Sequence, residues 1–227
     1  MVTGYILFIF FIPLLSFFLQ FLLPKRIDKL KSYISCIILF LSTCLSIYTL
    51  VSIYKAASLP LLEKISFSVQ TSLLSSLEYS WINLPNLKIN FGVFADSVSV
   101  IMLTVVSLIS FLVHIFSLEY MDGDKKYSRY YAYLGIFTFS MNGIVLSNNL
   151  FFTFIFWELV GLSSFLLIGF WYEKVSAGNA AKKAFLVNRV GDIGMFLGIM
   201  LIFFTCGTFN YKDIAIAAVE LGPNFTL

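Results

Sequence analysis

The sequence predicts an all-α fold, a polytopic membrane helix bundle of about six transmembrane helices. Hydrophobic residues make up 59% of the 227 residues and charged residues only 12%, whereas soluble proteins carry roughly a quarter charged residues. The apolar residues also gather in runs of about 20, the length that an α-helix needs to cross a bilayer. A soluble domain of this size would need a polar coat, which 27 clustered charged residues cannot provide.

Six runs are predicted to be the spans, at roughly residues 3–23, 33–53, 96–118, 130–147, 150–172 and 184–206. The first run is interpreted as a retained span and not as a signal peptide, because its basic residues follow the apolar stretch. We divide the chain into an N-terminal transmembrane hairpin (1–53), an outer loop (54–95), core spans three to six (96–206) and an outer C-terminal segment (207–227). The outer loop is predicted to be part helical and part extended, and the C-terminal segment mildly amphipathic.

The basic residues predict the orientation of the spans. Ten of the 15 lysines and arginines lie in three connectors, 24–32, 122–129 and 173–183, each of which follows an odd-numbered span. Basic residues are enriched in loops on the cytoplasmic side of a membrane, or on its equivalent in an organelle. These three connectors are therefore predicted to lie inside, and both ends of the chain outside.

Composition and motifs argue against several classes of function. The three cysteines lie in apolar runs and have no spacing typical of zinc or iron–sulfur sites. The chain shows no phosphate-binding glycine loop, no dinucleotide-binding fingerprint and no zinc-protease motif. We expect no redox cofactor, no nucleotide and no metal in this chain. Because the net charge of +3 reflects topology, we expect no nucleic-acid partner, only membrane lipid and other proteins.

The single carboxylate of the fifth run, Glu158, is the first candidate site residue. A charge near the centre of a bilayer costs about 2.5–3.5 kcal/mol on insertion scales, so such residues are usually functional. Its neighbours Gly161, Ser164 and Gly169 are small, which lets another helix approach. Desolvation disfavours the ionised carboxylate and a nearby lysine favours it, so Glu158 could carry a proton. The alternative is a neutral, hydrogen-bonded acid that only joins helices.

Charged residues also cluster at the start of the sixth run, where Lys182, Lys183, Arg189 and Asp192 follow one another. Arg189 and Asp192 are three residues apart and could pair on one face of a helix. One interpretation is a structural salt bridge at a helix end. The other is a polar path from the inner surface towards Glu158, with Lys182 or Lys183 as the cation that biases its carboxylate.

Two further ionisable residues lie in or beside the third run. His114 is the only histidine and could relay protons, since an unperturbed histidine titrates near neutrality. The alternative for His114 is a hydrogen-bonded contact between helices. Asp96 stands at the start of the run and is predicted to cap the N-terminus of its helix.

Several motifs in this order closely resemble the antiporter-like chain 5 of respiratory NADH–quinone oxidoreductase, complex I. They are VHIFSLEYM (113–121), SRYYAYL (128–134), NNLFFTFIFWELVGLSSFLLIGFW (148–171) and NAAKKAFLVNRVGDIGMFLGI (179–199). The resemblance covers residues 92–207 strongly, and it implies that the spans form the first part of an antiporter-like fold.

The resemblance implies a proton-translocating membrane-arm subunit, distal to the redox centres of the complex. NADH, FMN, iron–sulfur clusters and ubiquinone would then be bound elsewhere, and the partners would be other membrane-arm subunits. The family motifs assign proton translocation to Glu158 and supporting roles to Lys183, Asp192, Arg189 and His114. The phenylalanine-rich composition, typical of AT-biased organelle genes, favours the mitochondrial inner membrane; the alternative is a bacterial plasma membrane.

Length is where the sequence departs from this family, whose members usually have well over a dozen spans. The chain stops before the broken seventh helix of the family and its lysine. We therefore expect an N-terminal part of a split chain 5, completed by a second polypeptide that supplies the remaining spans. Two alternatives stay open: a subunit of a multi-chain cation/proton antiporter, and a structural membrane subunit in which Glu158 only holds helices together.

Overall fold

A computed structural model describes residues 2–24, 27–57, 78–84 and 87–221 of the protein. In this part the chain forms seven α-helices and one two-stranded sheet. In chain order they are α1 (Val2–Leu22), α2 (Asp28–Ala57), β1 (Glu78–Leu84), β2 (Leu87–Gly92), α3 (Ser97–Tyr120), α4 (Tyr127–Leu146), α5 (Leu150–Ile168), α6 (Val175–Cys206) and α7 (Tyr211–Leu221).

The helical membrane fold predicted from the sequence is confirmed. Five helices of the described chain, α1, α2, α3, α5 and α6, are long and apolar enough to cross a membrane. The remaining predicted span is α4, a 20-residue helix without an apolar stretch as long as those of the other five. It packs against α1, α2, α3 and α5, and its buried side chains include Thr138, Ser140 and Asn142. A helix that faces other helices instead of lipid can keep such polar residues, because they find hydrogen-bond partners there.

Helices α1 to α4 pack together, α5 lies against α4, and α6 packs against α5. One apolar cluster of the core includes Ile9 of α1, Leu103 of α3 and Phe156 of α5. Gly143 of α4 is required here, since a methyl group at its Cα would overlap the Phe156 ring. This contact fixes α5 against the four-helix group, and α5 in turn positions α6.

Three connectors meet at one end of the bundle, which we call the inner end. The α1–α2 connector and the α3–α4 connector are joined by Lys29 Nζ and Asp122 Oδ1, 2.7 Å apart. The α3–α4 connector and the α5–α6 connector are joined by Lys126 Nζ and Glu173 Oε1, also 2.7 Å apart. These contacts involve residues of the three basic segments, so the three lie at one end of the bundle; which side of the membrane that end faces stays a prediction.

The opposite, outer end holds the sheet and the remaining connectors. Strands β1 and β2 pair antiparallel, with Tyr79 opposite Phe91 and a register irregularity between Ser80 and Ile82. Leu150 N donates to Phe209 O at 2.9 Å, which joins the start of α5 to the segment after α6. Of the predicted outer loop, residues 54–57 belong to α2 and the extended part includes this hairpin. Residues 58–77 of that loop lie outside the described residues.

Three helix ends are fixed by local contacts, and one of them, the start of α3, was predicted from the sequence. The Asp96 carboxylate accepts from Ser99 N at 2.7 Å, so the predicted N-cap of α3 is confirmed. Gly207 ends α6 with φ +72°, and its N–H donates to Phe203 O at 2.7 Å. This left-handed conformation favours glycine, which has no Cβ to clash. Asn149 caps α5 by accepting from Phe152 N at 2.8 Å, which sets the depth of every α5 side chain.

Candidate functional site

Glu158 lies near the middle of α5, about 12 Å along the helix axis from Leu150. Its side chain is 24% exposed in the described structure. The carboxylate is therefore well inside the apolar part of the bundle and on the side of α5 that faces α6. This agrees with the depth that the sequence predicted.

Arg189 of α6 is the cation in contact with Glu158. Its Nη1 lies 2.5 Å from Glu158 Oε1, which makes a short, charge-assisted hydrogen bond between the two helices. The guanidinium also lies above the Phe185 ring, 5.1 Å from its centroid. The expectation that Lys182 or Lys183 stands beside Glu158 is wrong for the described chain, because Arg189 occupies that place.

Asp192 makes a second contact between α5 and α6. Its Oδ1 accepts from Trp157 Nε1 at 3.0 Å, and the residue is only 7% exposed. The expected pair between Arg189 and Asp192 is therefore wrong, because each side chain instead contacts α5. The neighbouring residues Trp157 and Glu158 bind two residues of α6 that lie one turn apart.

Sequence reasoning missed Trp157 as a polar contact. The signal was available, since Trp157–Glu158 on α5 and Arg189–Asp192 on α6 lie at matching depths if the two helices run antiparallel. The indole N–H donates only, and a buried one usually finds an acceptor. A buried carboxylate one turn from the arginine is such an acceptor.

The small residues near Glu158 differ in what they do. At Gly169, just after α5, an added Cβ would lie 3.1 Å from Ala181 Cβ, so the two helices approach closely at the inner end. At Gly161 no heavy atom of the described chain lies within 4 Å of an added Cβ. Ser164 Oγ donates to Gly161 O of its own helix at 2.8 Å. The surface around Glu158 is therefore open on one side, where the prediction expected a packed helix.

The two lysines of the cluster lie nearer the inner end of α6. Lys183 is six residues before Arg189, about 9 Å along the axis. Both lysines are exposed, and neither forms an ion pair with a described residue. They stand between the inner surface and the Glu158–Arg189 pair without contacting it.

His114 is buried in the four-helix group and not beside Glu158. Its Nδ1 lies 2.8 Å from Ser110 O, one turn back along α3. Its ring packs edge-on against Tyr131 of α4 at 5.5 Å, and Tyr131 Oη donates to His114 O at 2.9 Å. Nε2 is buried and has no hydrogen-bond partner among the described residues. The structure thus brings together Glu158, Arg189 and Asp192 but leaves His114 in a separate place.

Two family matches bear on this arrangement. Residues 81–131 match the family described as NADH-Ubiquinone oxidoreductase (complex I), chain 5 N-terminus, and residues 147–226 match NADH:quinone oxidoreductase/Mrp antiporter, TM. Together they cover more than half of the chain. The chain belongs to the complex I chain 5 family. It is therefore a multi-pass membrane protein, as its apolar helices indicate.

Two similar proteins of this family are from a chloroplast and an organellar chromatophore. The chloroplastic NAD(P)H-quinone oxidoreductase subunit 5 of Draba nemorosa is 41% identical over 170 residues, 74% of this chain and 23% of that protein. NAD(P)H-quinone oxidoreductase subunit 5, organellar chromatophore 1, of Paulinella chromatophora is 45% identical over 141 residues, which are 62% of this chain and 21% of that protein. The chain spans only a small part of the length of these relatives.

A solved structure has the same fold. A chain of the membrane-bound sulfane sulfur reductase, an archaeal respiratory membrane complex, superposes with a TM-score of 0.68. The superposition covers 98% of this chain and 40% of that chain, at 18% identity. The helix arrangement described above is thus shared by a longer membrane subunit.

Proposed function

We propose that this chain is a proton-translocating membrane-arm subunit of NADH–ubiquinone oxidoreductase, complex I, where it forms the first part of chain 5. It would couple electron transfer from NADH to ubiquinone, elsewhere in the complex, to proton pumping. The observation that carries this proposal is the Glu158–Arg189 pair, an acid and a base that face each other between two apolar helices, near the middle of the α5 span. Ionisable residues within spans usually mark ion pathways.

The geometry supports two positions for the Arg189 side chain, one at Glu158 and one at Asp192, which we call the two-position arginine. When Glu158 is ionised, Arg189 holds it at 2.5 Å. A proton taken up by Glu158 removes the charge that attracts the guanidinium, so Arg189 can turn to Asp192, one turn away on its own helix. Loss of the proton returns Arg189 to Glu158. Trp157 holds Asp192 in place during this exchange, through the 3.0 Å hydrogen bond.

The lysines and the histidine take supporting roles in this proposal. Lys183 and Lys182, exposed near the inner end of α6, keep the path from the inner surface to Glu158 polar. Their positive charges also repel protons from that path until the negative charge on Glu158 favours proton uptake. His114 would serve a relay within the four-helix group, through its unpartnered Nε2.

Further helices would cover the open side of α5 and α6. Exposed apolar residues repeat along α6 at helical spacing, namely Leu186, Val190, Ile193, Leu197, Leu201 and Phe204. The Glu158 and Arg189 side chains are 24% and 44% exposed beside them. Lipid is a poor cover for an ion pair at this depth, so we propose that the remaining spans of the family fold lie here. A second polypeptide supplies them in our proposal, next to other membrane-arm subunits.

Redox groups belong elsewhere in the complex under this proposal. The three cysteines are free and sit on α2 and α6, and the mechanism above needs only protonation of side chains. We also place the chain in the mitochondrial inner membrane, which its phenylalanine-rich composition supports. The names of the relatives favour a photosynthetic organelle as the competing location.

Replacing Glu158 by glutamine tests the function. Glutamine keeps the hydrogen bond to Arg189 but cannot carry a proton, so we expect proton pumping to fall by about tenfold or more while the complex still assembles. Glu119→Gln is the matched control, because Glu119 is exposed near the inner end of α3. Unchanged pumping in Glu158→Gln would mean that Glu158 only joins helices, as in the structural alternative.

A cation/proton antiporter subunit is the second candidate, since one family match is described by both complex I and Mrp antiporters. Mild detergent extraction, native gel separation and mass spectrometry distinguish the two. Migration with NADH dehydrogenase activity beside a second chain 5 polypeptide supports our proposal. A band without redox subunits supports the antiporter, and a single long polypeptide containing this sequence contradicts the split chain. The organelle fraction that holds the band decides the location.

A further inference from the structure

A cavity of about 520 Å³ lies at the inner end of the bundle, between α4, the end of α5 and the start of α6. Two basic side chains line it, Arg129 of α4 and Lys182 of α6. None of its lining residues is acidic in the part of the chain that the structure describes. The cavity is therefore basic, with one positive side chain from each of two helices.

Tyr172 and the first turns of α6 form the mouth of the cavity. Tyr172 lines it, and its pKa is lowered by a hydrogen bond with Lys126 and by the charge of that lysine, with a further contribution from Arg129. Val175, Gly178 and Asn179, from the first turns of α6, also line the cavity. The N-terminus of this 32-residue helix adds a positive dipole end and free backbone N–H groups.

The deeper part of the cavity, towards the middle of the spans, is apolar. Phe165, Leu166 and Phe170, at the end of α5, form its wall on the membrane side. The cavity is thus divided between a basic mouth at the level of the inner connectors and an aromatic and aliphatic wall at the level of the spans. A free inorganic anion would use the first part and leave the second unfilled.

The position in the membrane matches this division. The cavity lies at the end where the three basic connectors meet, joined by Lys126 and Glu173. Anionic lipids on this side of a membrane are attracted to basic residues near the surface, and basic pockets between spans there bind their head groups. The ligand that satisfies both parts is amphipathic, with an anionic phosphate head and an acyl chain.

We propose that this cavity binds one anionic phospholipid of the inner leaflet. Its phosphate contacts Arg129, Lys182 and the N-terminus of α6, and one acyl chain lies along Phe165 and Leu166. The lipid would hold α4, α5 and α6 together at the end of the bundle where Gly169 and Ala181 approach closely. The cavity shares Lys182 with the proposed proton path but does not include the Glu158–Arg189 pair, so lipid binding is measured separately from pumping.

The test measures lipid retained by the purified, intact complex. The complex is exchanged into mixed vesicles of phosphatidylglycerol and phosphatidylcholine, re-extracted, and its bound lipids are counted by native mass spectrometry. A basic residue beside the bound head group strengthens binding of an anionic lipid by roughly fivefold. The double variant Arg129→Gln/Lys182→Gln should therefore lower the preference for phosphatidylglycerol by about 30-fold.

Two further variants separate the site from general charge. Lys125→Gln/Lys174→Gln removes the same charge at the same end but outside the cavity, and Lys174 makes no side-chain cap contact with α6. We expect it to keep the preference. Arg129→Lys/Lys182→Arg keeps both charges and should also keep the preference for phosphatidylglycerol. This variant shows whether a loss in the glutamine variant comes from the missing charges or from misfolding.

Three results would overturn the proposal. An equal loss of phosphatidylglycerol in the control and the cavity variants would show only general surface attraction. Displacement of the lipid by millimolar inorganic phosphate would show a free-anion site. Retention of no lipid by the wild-type protein would show that another protein segment fills the cavity. Each readout is independent of pumping, so failure here leaves the function of Glu158 untouched.

Discussion

The partner of Glu158 can be tested by a double-mutant cycle with Arg189. Exposed ion pairs contribute about 0.2–1 kcal/mol, and breaking a buried pair costs about 3–5 kcal/mol. With side chains that are 24% and 44% exposed, the Glu158–Arg189 pair lies between these limits, and we expect a coupling energy of about 2 kcal/mol. Glu158→Gln and Arg189→Gln should each destabilise the protein, and the double variant should lose less than their sum.

The assay is the temperature at which half of the chain is lost from the detergent-soluble complex. A change of 1 kcal/mol shifts a midpoint by about 2–4 °C in a domain of this size, so the coupling should appear as about 4–8 °C. The matched control is the cycle of Glu158→Gln with Lys183→Gln, since Lys183 lies on the same helix and pairs with no described residue. That cycle should be additive.

The reasoning fails if the two cycles agree. A coupling with Lys183 as large as that with Arg189 would mean that the lysine is the cation beside Glu158, as the sequence alone suggested. Additivity in both cycles would mean that the 2.5 Å contact contributes nothing measurable. Either result would remove the two-position arginine from the proposed mechanism.

Three further predictions concern other contacts. Trp157→Phe leaves the buried Asp192 carboxylate without its donor and should cost about 1.5–3 kcal/mol; Trp157→Phe/Asp192→Leu should recover part of this in the same thermal assay. Lys31→Met should cost about 3–5 kcal/mol, because this 1% exposed lysine pairs with Asp28 at 2.7 Å, and a normal melting temperature would contradict that role. Lys29 lowers the pKa of Asp122 by a hydrogen bond and by its charge, so the bridge stabilises the protein above the usual aspartate pKa and is lost as pH falls through the lowered one. Wild type should therefore lose its thermal advantage over Asp122→Asn in acid, and a difference that stays constant with pH would contradict this.

The sequence was informative about fold class, about the depth of Glu158 and about which connectors share one end of the bundle. Runs of apolar residues determine membrane helices because the backbone must satisfy its own hydrogen bonds in lipid. The three basic connectors predicted one shared end, and the Lys29–Asp122 and Lys126–Glu173 contacts are at that end. Local chemistry also predicted the Asp96 cap, since a cap depends on residues only three positions apart.

Pairing between helices could not be predicted in the same way. Spacing along α6 suggested that Arg189 would pair with Asp192. The lysines at the start of the sixth run suggested that Lys182 or Lys183 would be the cation beside Glu158. The structure instead joins Arg189 to Glu158 and Asp192 to Trp157. Which side chains meet depends on the rotation and depth of α5 against α6, and those follow from packing such as the Gly143–Phe156 and Gly169–Ala181 contacts.

The sequence by itself thus determined that this chain lies in a membrane, which family it resembles and which acid stands deep in a span. Only the tertiary structure decided that the acid faces an arginine, that His114 belongs to a separate group of helices, and that Arg129 and Lys182 share one cavity. The physical reason is range. Hydropathy, charge placement and capping act within one helix or at one surface, whereas a site between helices exists only once several distant segments have packed.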